Sequence, residues 1–96
     1  MSYFVVVRER GPAWFPASSI REQEQWTEHA AFMDALVDDG FVVLGGPLGD
    51  GPTTLLIVDS RSEDEIHARL ADDPWTPLGL LLISKIEPWE LLLGAP

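Results

Sequence analysis

Two Ser-x-x-Glu pairs constrain the fold of this chain more than any other feature. Ser19-Ile20-Arg21-Glu22 and Ser62-Glu63-Asp64-Glu65 have capping-box spacing, in which Ser and Glu satisfy backbone N–H groups at a helix start. The runs around them read differently. Tyr3 to Arg8, Phe41 to Gly45, Thr53 to Val58 and Leu80 to Ile86 are short, apolar and bounded by Gly, Pro or Asp, as strands are. The first helix runs from its capping box to Asp38 or Asp39, where Gly40 ends it. Asp72-Asp73-Pro74 stops the second. Gly45-Gly46-Pro47-Leu48-Gly49-Asp50-Gly51-Pro52 is a turn-rich connection, so the second and third strands form a hairpin and the glycines serve turn geometry. The fourth strand extends to Leu93 beyond a bulge at Pro88. The order β-α-β-β-α-β predicts a ferredoxin-like α+β fold, with a four-stranded antiparallel sheet and two helices on one face. A chain of 96 residues makes one domain, 1–96.

Such a fold leaves the second sheet face bare. Yet Leu80-Leu81-Leu82-Ile83 is apolar at successive positions, which point to opposite sides of a sheet. The chain has no further element to cover the second side. A second copy, packed sheet against sheet, solves the problem, so a homodimer through the open face is expected. The 46% apolar content, with four Trp and four Phe, agrees with surface to be buried against a partner.

Charge narrows the partners. Six basic and sixteen acidic residues give a net charge of −10. Nucleic acid is not expected, because phosphate binding needs clusters of Lys and Arg. Anionic membrane surfaces are disfavoured for the same reason, and no apolar run approaches the 18 residues of a membrane span. Without Cys, disulfides, thiolate metal sites and a Cys nucleophile are excluded. Met1-Ser2-Tyr3-Phe4-Val5 shows no basic segment or cleavage site of a secretion signal, so a cytoplasmic protein is expected.

The chemistry begins with His29. At 3.6 residues per turn it falls on the same stripe as Trp26, Phe32, Met33 and Leu36, so its ring points at the core or a pocket in it. A polar ring there needs a partner, since an unsatisfied buried group costs about 1–3 kcal/mol. Asp72-Asp73-Pro74-Trp75 offers a carboxylate. A His with an Asp partner is the simplest general acid–base pair, and the carboxylate both fixes the tautomer and favours the charged ring. Arg8 lies in phase with Phe4 and Val6, which makes it a better candidate than Arg10 or Arg21 for holding a substrate anion. No Ser or Thr stands in a nucleophile elbow, and Gly45-Gly46 lacks the Lys and following helix of a phosphate loop. His67 reads as a surface residue, and neither His has metal-ligand spacing, so no metal or other cofactor is expected.

The ordered set Trp26-x-x-His29-x-x-Phe32-Met33, Gly40, Gly45-Gly46-Pro47-Leu48 and Asp73-Pro74-Trp75 resembles the YciI-like (YCII-related domain) family. Gly11-Pro12-x-Trp14 and Arg21-Glu22-Gln23-x-x-Trp26 look like one branch of it. The resemblance covers essentially the whole chain. It implies a dimeric α+β barrel and a site built on a His–Asp pair, in which His29 is the His and Asp73, rather than its neighbour Asp72, is the Asp. It also implies a small metabolite as ligand; one relative in the family removes HCl from a hydroxylated aromatic ring. Trp26 and Trp75 would then wall the pocket and stack on an aromatic ligand, the alternative being ordinary core packing. Trp14 and Phe15 would form a lid or a plug. Three functions stay open: a cofactor-independent acid–base enzyme for isomerisation or elimination, a small-ligand-binding or accessory dimer, and a structural protein in which His29 and Asp73 serve packing alone.

Overall fold

The computed structural model describes residues 2–94. The elements follow in the order β1 (Ser2–Arg10), a 3-10 turn (Ile20–Glu22), α1 (Trp26–Asp38), β2 (Val42–Pro47), β3 (Thr53–Ser60), α2 (Glu63–Leu70), α3 (Trp75–Leu78) and β4 (Leu81–Pro88). All strand pairings are antiparallel and the sheet order is β2-β3-β1-β4, the ferredoxin-like arrangement expected from the sequence. Phe4 and Val6 of β1 and Leu56 and Val58 of β3 alternate onto one face. There they meet Leu36 of α1 and Ile66 and Leu70 of α2, all buried, so both helices share that face. Each large apolar side chain removed from water in this way contributes about 1.5–3 kcal/mol.

The capping signals act differently from one another. Ser62 caps α2 as expected, its hydroxyl accepting from the Glu65 N–H at 3.1 Å. The first box is displaced. The Glu22 carboxylate accepts from the Ser19 N–H at 2.8 Å, but this closes only the 3-10 turn, and α1 begins four residues later at Trp26. The break has a tertiary cause. Gln25 sits in the left-handed region at φ 56°, and the preceding carbonyl, Glu24, accepts the Trp75 indole N–H at 2.6 Å. Gly40, at φ 85°, ends α1 in a Schellman motif: Gly40 N–H donates to Val37 and Phe41 N–H to Leu36.

Three expectations for the strands need correction. The second strand runs past Gly45, so that Gly46 and Pro47 lie inside β2 rather than in the connection. The reason for Gly45 is close approach, because a Cβ there would lie 2.6 Å from Leu56 Cδ2. The bulge in β4 is at Ser84, where Ile83 pairs with Arg8 and Lys85 with Val7. Ile83 and Ile86 are three positions apart and would face opposite ways in a regular strand. The extra residue brings both against the core. The strand ends at Pro88 and does not extend to Leu93. A short helix, α3, was also not anticipated; its Pro74 start and Gly79 stop (φ 73°) are the usual asymmetry of helix ends.

Candidate active site

The site is assembled where α1, the C-terminal part of β1 and the α2–α3 turn converge. Asp73 ends the turn that leaves α2, and one carboxylate oxygen accepts the Trp75 N–H at 2.9 Å. That is ordinary helix-start chemistry for an Asp before Pro. The same carboxylate does more. His29 Nδ1 lies 2.8 Å from Oδ1 and 2.9 Å from Oδ2, and Arg8 Nη1 donates to Oδ2 at 3.0 Å. His29, Arg8 and Asp73 are 6%, 2% and 1% exposed, so water does not screen these contacts. Asp72, the neighbouring alternative, is exposed.

Electrostatics follow from the geometry. Burial opposes ionisation of Asp73, but His29, the Trp75 N–H and Arg8 together outweigh it and hold the carboxyl below its usual range. Burial pulls the Arg8 guanidinium below its ordinary value, with Asp73 opposing. An Nδ1 flanked by two carboxylate oxygens carries a proton, since a lone pair there would face two acceptors. The proton on Nδ1 leaves Nε2 as the ring's other functional atom, and Nε2 has no protein hydrogen-bond partner among the described residues.

The ring is held from its face as well. Trp75, fully buried, stacks on His29 with centroids 3.8 Å apart and planes 5° from parallel. Trp26 tilts against both rings at 5.8 and 5.9 Å. Trp14 meets Trp75 edge-on at 5.6 Å. Trp75 thus backs the ring, whereas Trp26, His29 and Arg8 border a cavity of about 280 Å³ that Trp75 does not line. Its other walls are Ile20 of the 3-10 turn, Met33 and Val37 of α1, Val42, Gly45, Gly46 and Pro47 of β2, Thr54 and Leu56 of β3, and Leu81 of β4. Exposed Asp34 stands at its rim. The wall is mostly apolar with a few polar groups converging on it, as small-molecule sites are.

Sequence reasoning missed Gln23. It is 5% exposed, and its amide accepts from the Phe15 N–H at 2.9 Å while donating to the Phe15, Ser18 and Ser19 carbonyls. These bonds staple the loop that carries Trp14 against the back of Trp75. No local pattern marks a Gln for this task. His67 is exposed, and among the described residues no three His, Asp or Glu side chains gather as metal ligands would. No helix among them is long and apolar enough to cross a membrane.

No family model and no curated protein matches the chain. A solved structure does: 5-chloro-2-hydroxyhydroquinone dehydrochlorinase (TftG) from Burkholderia phenoliruptrix AC1100, in complex with 2,5-dihydroxybenzoquinone. The similarity is 26% in sequence, covers 92% of this chain and 93% of that one, and has a TM-score of 0.66. In its α+β architecture this chain is therefore similar to a small-molecule enzyme that binds a hydroxylated quinone ring.

Proposed function

We propose that this protein is a cofactor-independent acid–base enzyme acting on a small hydroxylated aromatic or quinonoid metabolite. One observation carries the reading: a buried His29 whose Nδ1 is fixed by Asp73 while its ring borders a small-molecule-sized cavity. Asp73 orients the ring. Nε2 takes a proton from a substrate hydroxyl or acidic C–H and returns it elsewhere, which is what isomerisation and elimination require. Trp26 offers a flat apolar wall to a ring-shaped substrate. The 26% identity to a dehydrochlorinase of a hydroxyhydroquinone supports both the reaction type and the substrate class.

The test is turnover of a panel of di- and trihydroxybenzenes, with and without ring chlorine, by wild type and His29→Ala. The expected result is an about 10²–10⁴-fold lower kcat in the variant, the usual contribution of one general base. Equal turnover by both proteins overturns the assignment. A compound that binds near His29 and is always recovered unchanged favours a ligand-binding module instead.

The active form is a homodimer through the open sheet face. Val5, Val7, Leu44, Leu55 and Leu82 lie on that face, and Leu44 is 64% and Leu82 39% exposed. Leu44→Lys combined with Leu82→Lys yields a monomer by light scattering if the reading holds. An unchanged mass contradicts it.

A further inference from the structure

Arg8 is an unusual neighbour for an acid–base pair. It projects from the C-terminal third of β1 onto the helix face of the sheet, 2% exposed. Its chemistry is nearly all spent on one group. Nη1 donates to Asp73 at 3.0 Å, Nη2 touches the Met33 sulfur at 3.5 Å, and Nε has no partner among the described residues. A guanidinium used in this way is not a free anchor for a substrate anion. It stands between two cavities: the one bordered by His29 and a second, of about 410 Å³, under α2 and β4. A cation in that place has one resident counter-ion, Asp73, which it shares with His29.

The sharing sets the charge balance. A lone aspartate favours an imidazolium beside it. Here the carboxylate is already neutralised by Arg8, and a protonated His29 would be a second buried cation on the same anion. We infer that Arg8 is a positioning residue: it holds Asp73 as a fixed, ionised acceptor and supplies its counter-charge, which keeps His29 Nε2 unprotonated toward the cavity. Asp34 of α1, exposed at the rim, is the remaining ionisable group bordering that cavity. The role deepens the acid–base reading of His29 and rests on it.

Imidazole nitrogen NMR of the whole protein tests the inference without a substrate. Wild type, Arg8→Met and Arg8→Lys are compared across about pH 5 to 8, the interval in which His ordinarily changes charge. Arg8→Met is expected to lose the unprotonated Nε2 signal at pH values where wild type retains it, and Arg8→Lys, which keeps the charge, to restore it. Superimposable spectra of wild type and Arg8→Met overturn the inference. Should Arg8→Met not fold, the Asp73 carboxyl carbon of wild type decides. It stays at its ionised position across the whole interval, and a carboxyl that protonates there contradicts the role. The two readings fail separately. Spectra as expected without turnover on any substrate leave Arg8 its role in a binding pair and remove the enzyme. His29-dependent turnover with unmoved Arg8→Met spectra removes Arg8 alone.

Discussion

Asp73→Asn is the perturbation whose cost the structure defines best. Asp73 is 1% exposed and is the only acceptor with which Arg8 makes an ion pair among the described residues. An asparagine of the same shape can still accept the Trp75 N–H through its oxygen. That oxygen also stays 2.8 Å from His29 Nδ1, but the NH₂ group takes the place of Oδ2 and faces Arg8 Nη1, a donor where an acceptor stood. Arg8, 2% exposed, is left as an unpaired buried charge. Removing one partner of a buried pair costs about 3–5 kcal/mol. A domain of this size has about 5–15 kcal/mol in total, and each kcal/mol moves its midpoint by about 4–8 °C. The variant is therefore expected to melt at least roughly 12 °C below wild type, from the lower limits of both ranges. Urea unfolding followed by circular dichroism measures the loss, with an unchanged m-value showing that the denatured state is not the cause. Adding Arg8→Met removes the stranded charge, so the double variant recovers much of the loss instead of summing two penalties. A loss below about 1 kcal/mol for Asp73→Asn, or strict additivity in the double variant, would refute the reasoning.

The other predictions are smaller. Gly45→Ala places a Cβ 2.6 Å from Leu56 Cδ2 at the cavity wall, whereas a Cβ on Gly46 meets nothing within 4 Å. If the proposed ligand class is right, Gly45→Ala lowers affinity for 2,5-dihydroxybenzoquinone in calorimetry, and equal affinity in wild type and variant contradicts it. Gly40→Ala, at φ 85°, loses about 1–2 kcal/mol, and Gln25→Gly, at φ 56°, gains stability, both read by urea midpoints. Acid stability follows four carboxylates held low in the folded protein, Glu22, Asp39, Glu65 and Asp73, of which the last two are the most instructive. Hydrogen bonds from the Arg61 backbone and the Ser60 hydroxyl, with the Arg61 side chain, hold Glu65 at about 2, and Asp73 is also held below its usual range. Each therefore contributes stability that is complete above its unfolded value near 4 and lost as pH falls through its folded value. Glu65→Gln should flatten the stability profile between about pH 4.5 and 2, and an unchanged profile speaks against it.

The sheet was legible because its signals are local. β-branched runs, Gly40 and Ser62 decide their own neighbourhoods, and the element order then leaves few topologies. What the sequence hid depends on contacts across the fold. Glu24 and Gln25 leave the helix because an indole 51 positions away takes the Glu24 carbonyl. Gly45 reads as a turn residue until Leu56 is seen beside it. The candidate site divides in the same way. Periodicity pointed His29 inward, but Asp73 was separated from Asp72 only by resemblance, since the two are chemically equal in the sequence. Arg8 was read as an anchor for an anion from outside, and the anion beside it is Asp73. Neither Gln23 nor the stacking of Trp75 on His29 has a signature in residue spacing, because each is set by three-dimensional packing.

The pairing of His29 with Asp73 has its most direct test in the nitrogen spectrum of the wild-type imidazole. A proton on Nδ1, with that preference lost in Asp73→Leu, which has no acceptor, is the result the geometry predicts. A proton on Nε2 in wild type, or a tautomer indifferent to Asp73, would mean that the carboxylate does not orient the ring, and the acid–base reading would fall with it.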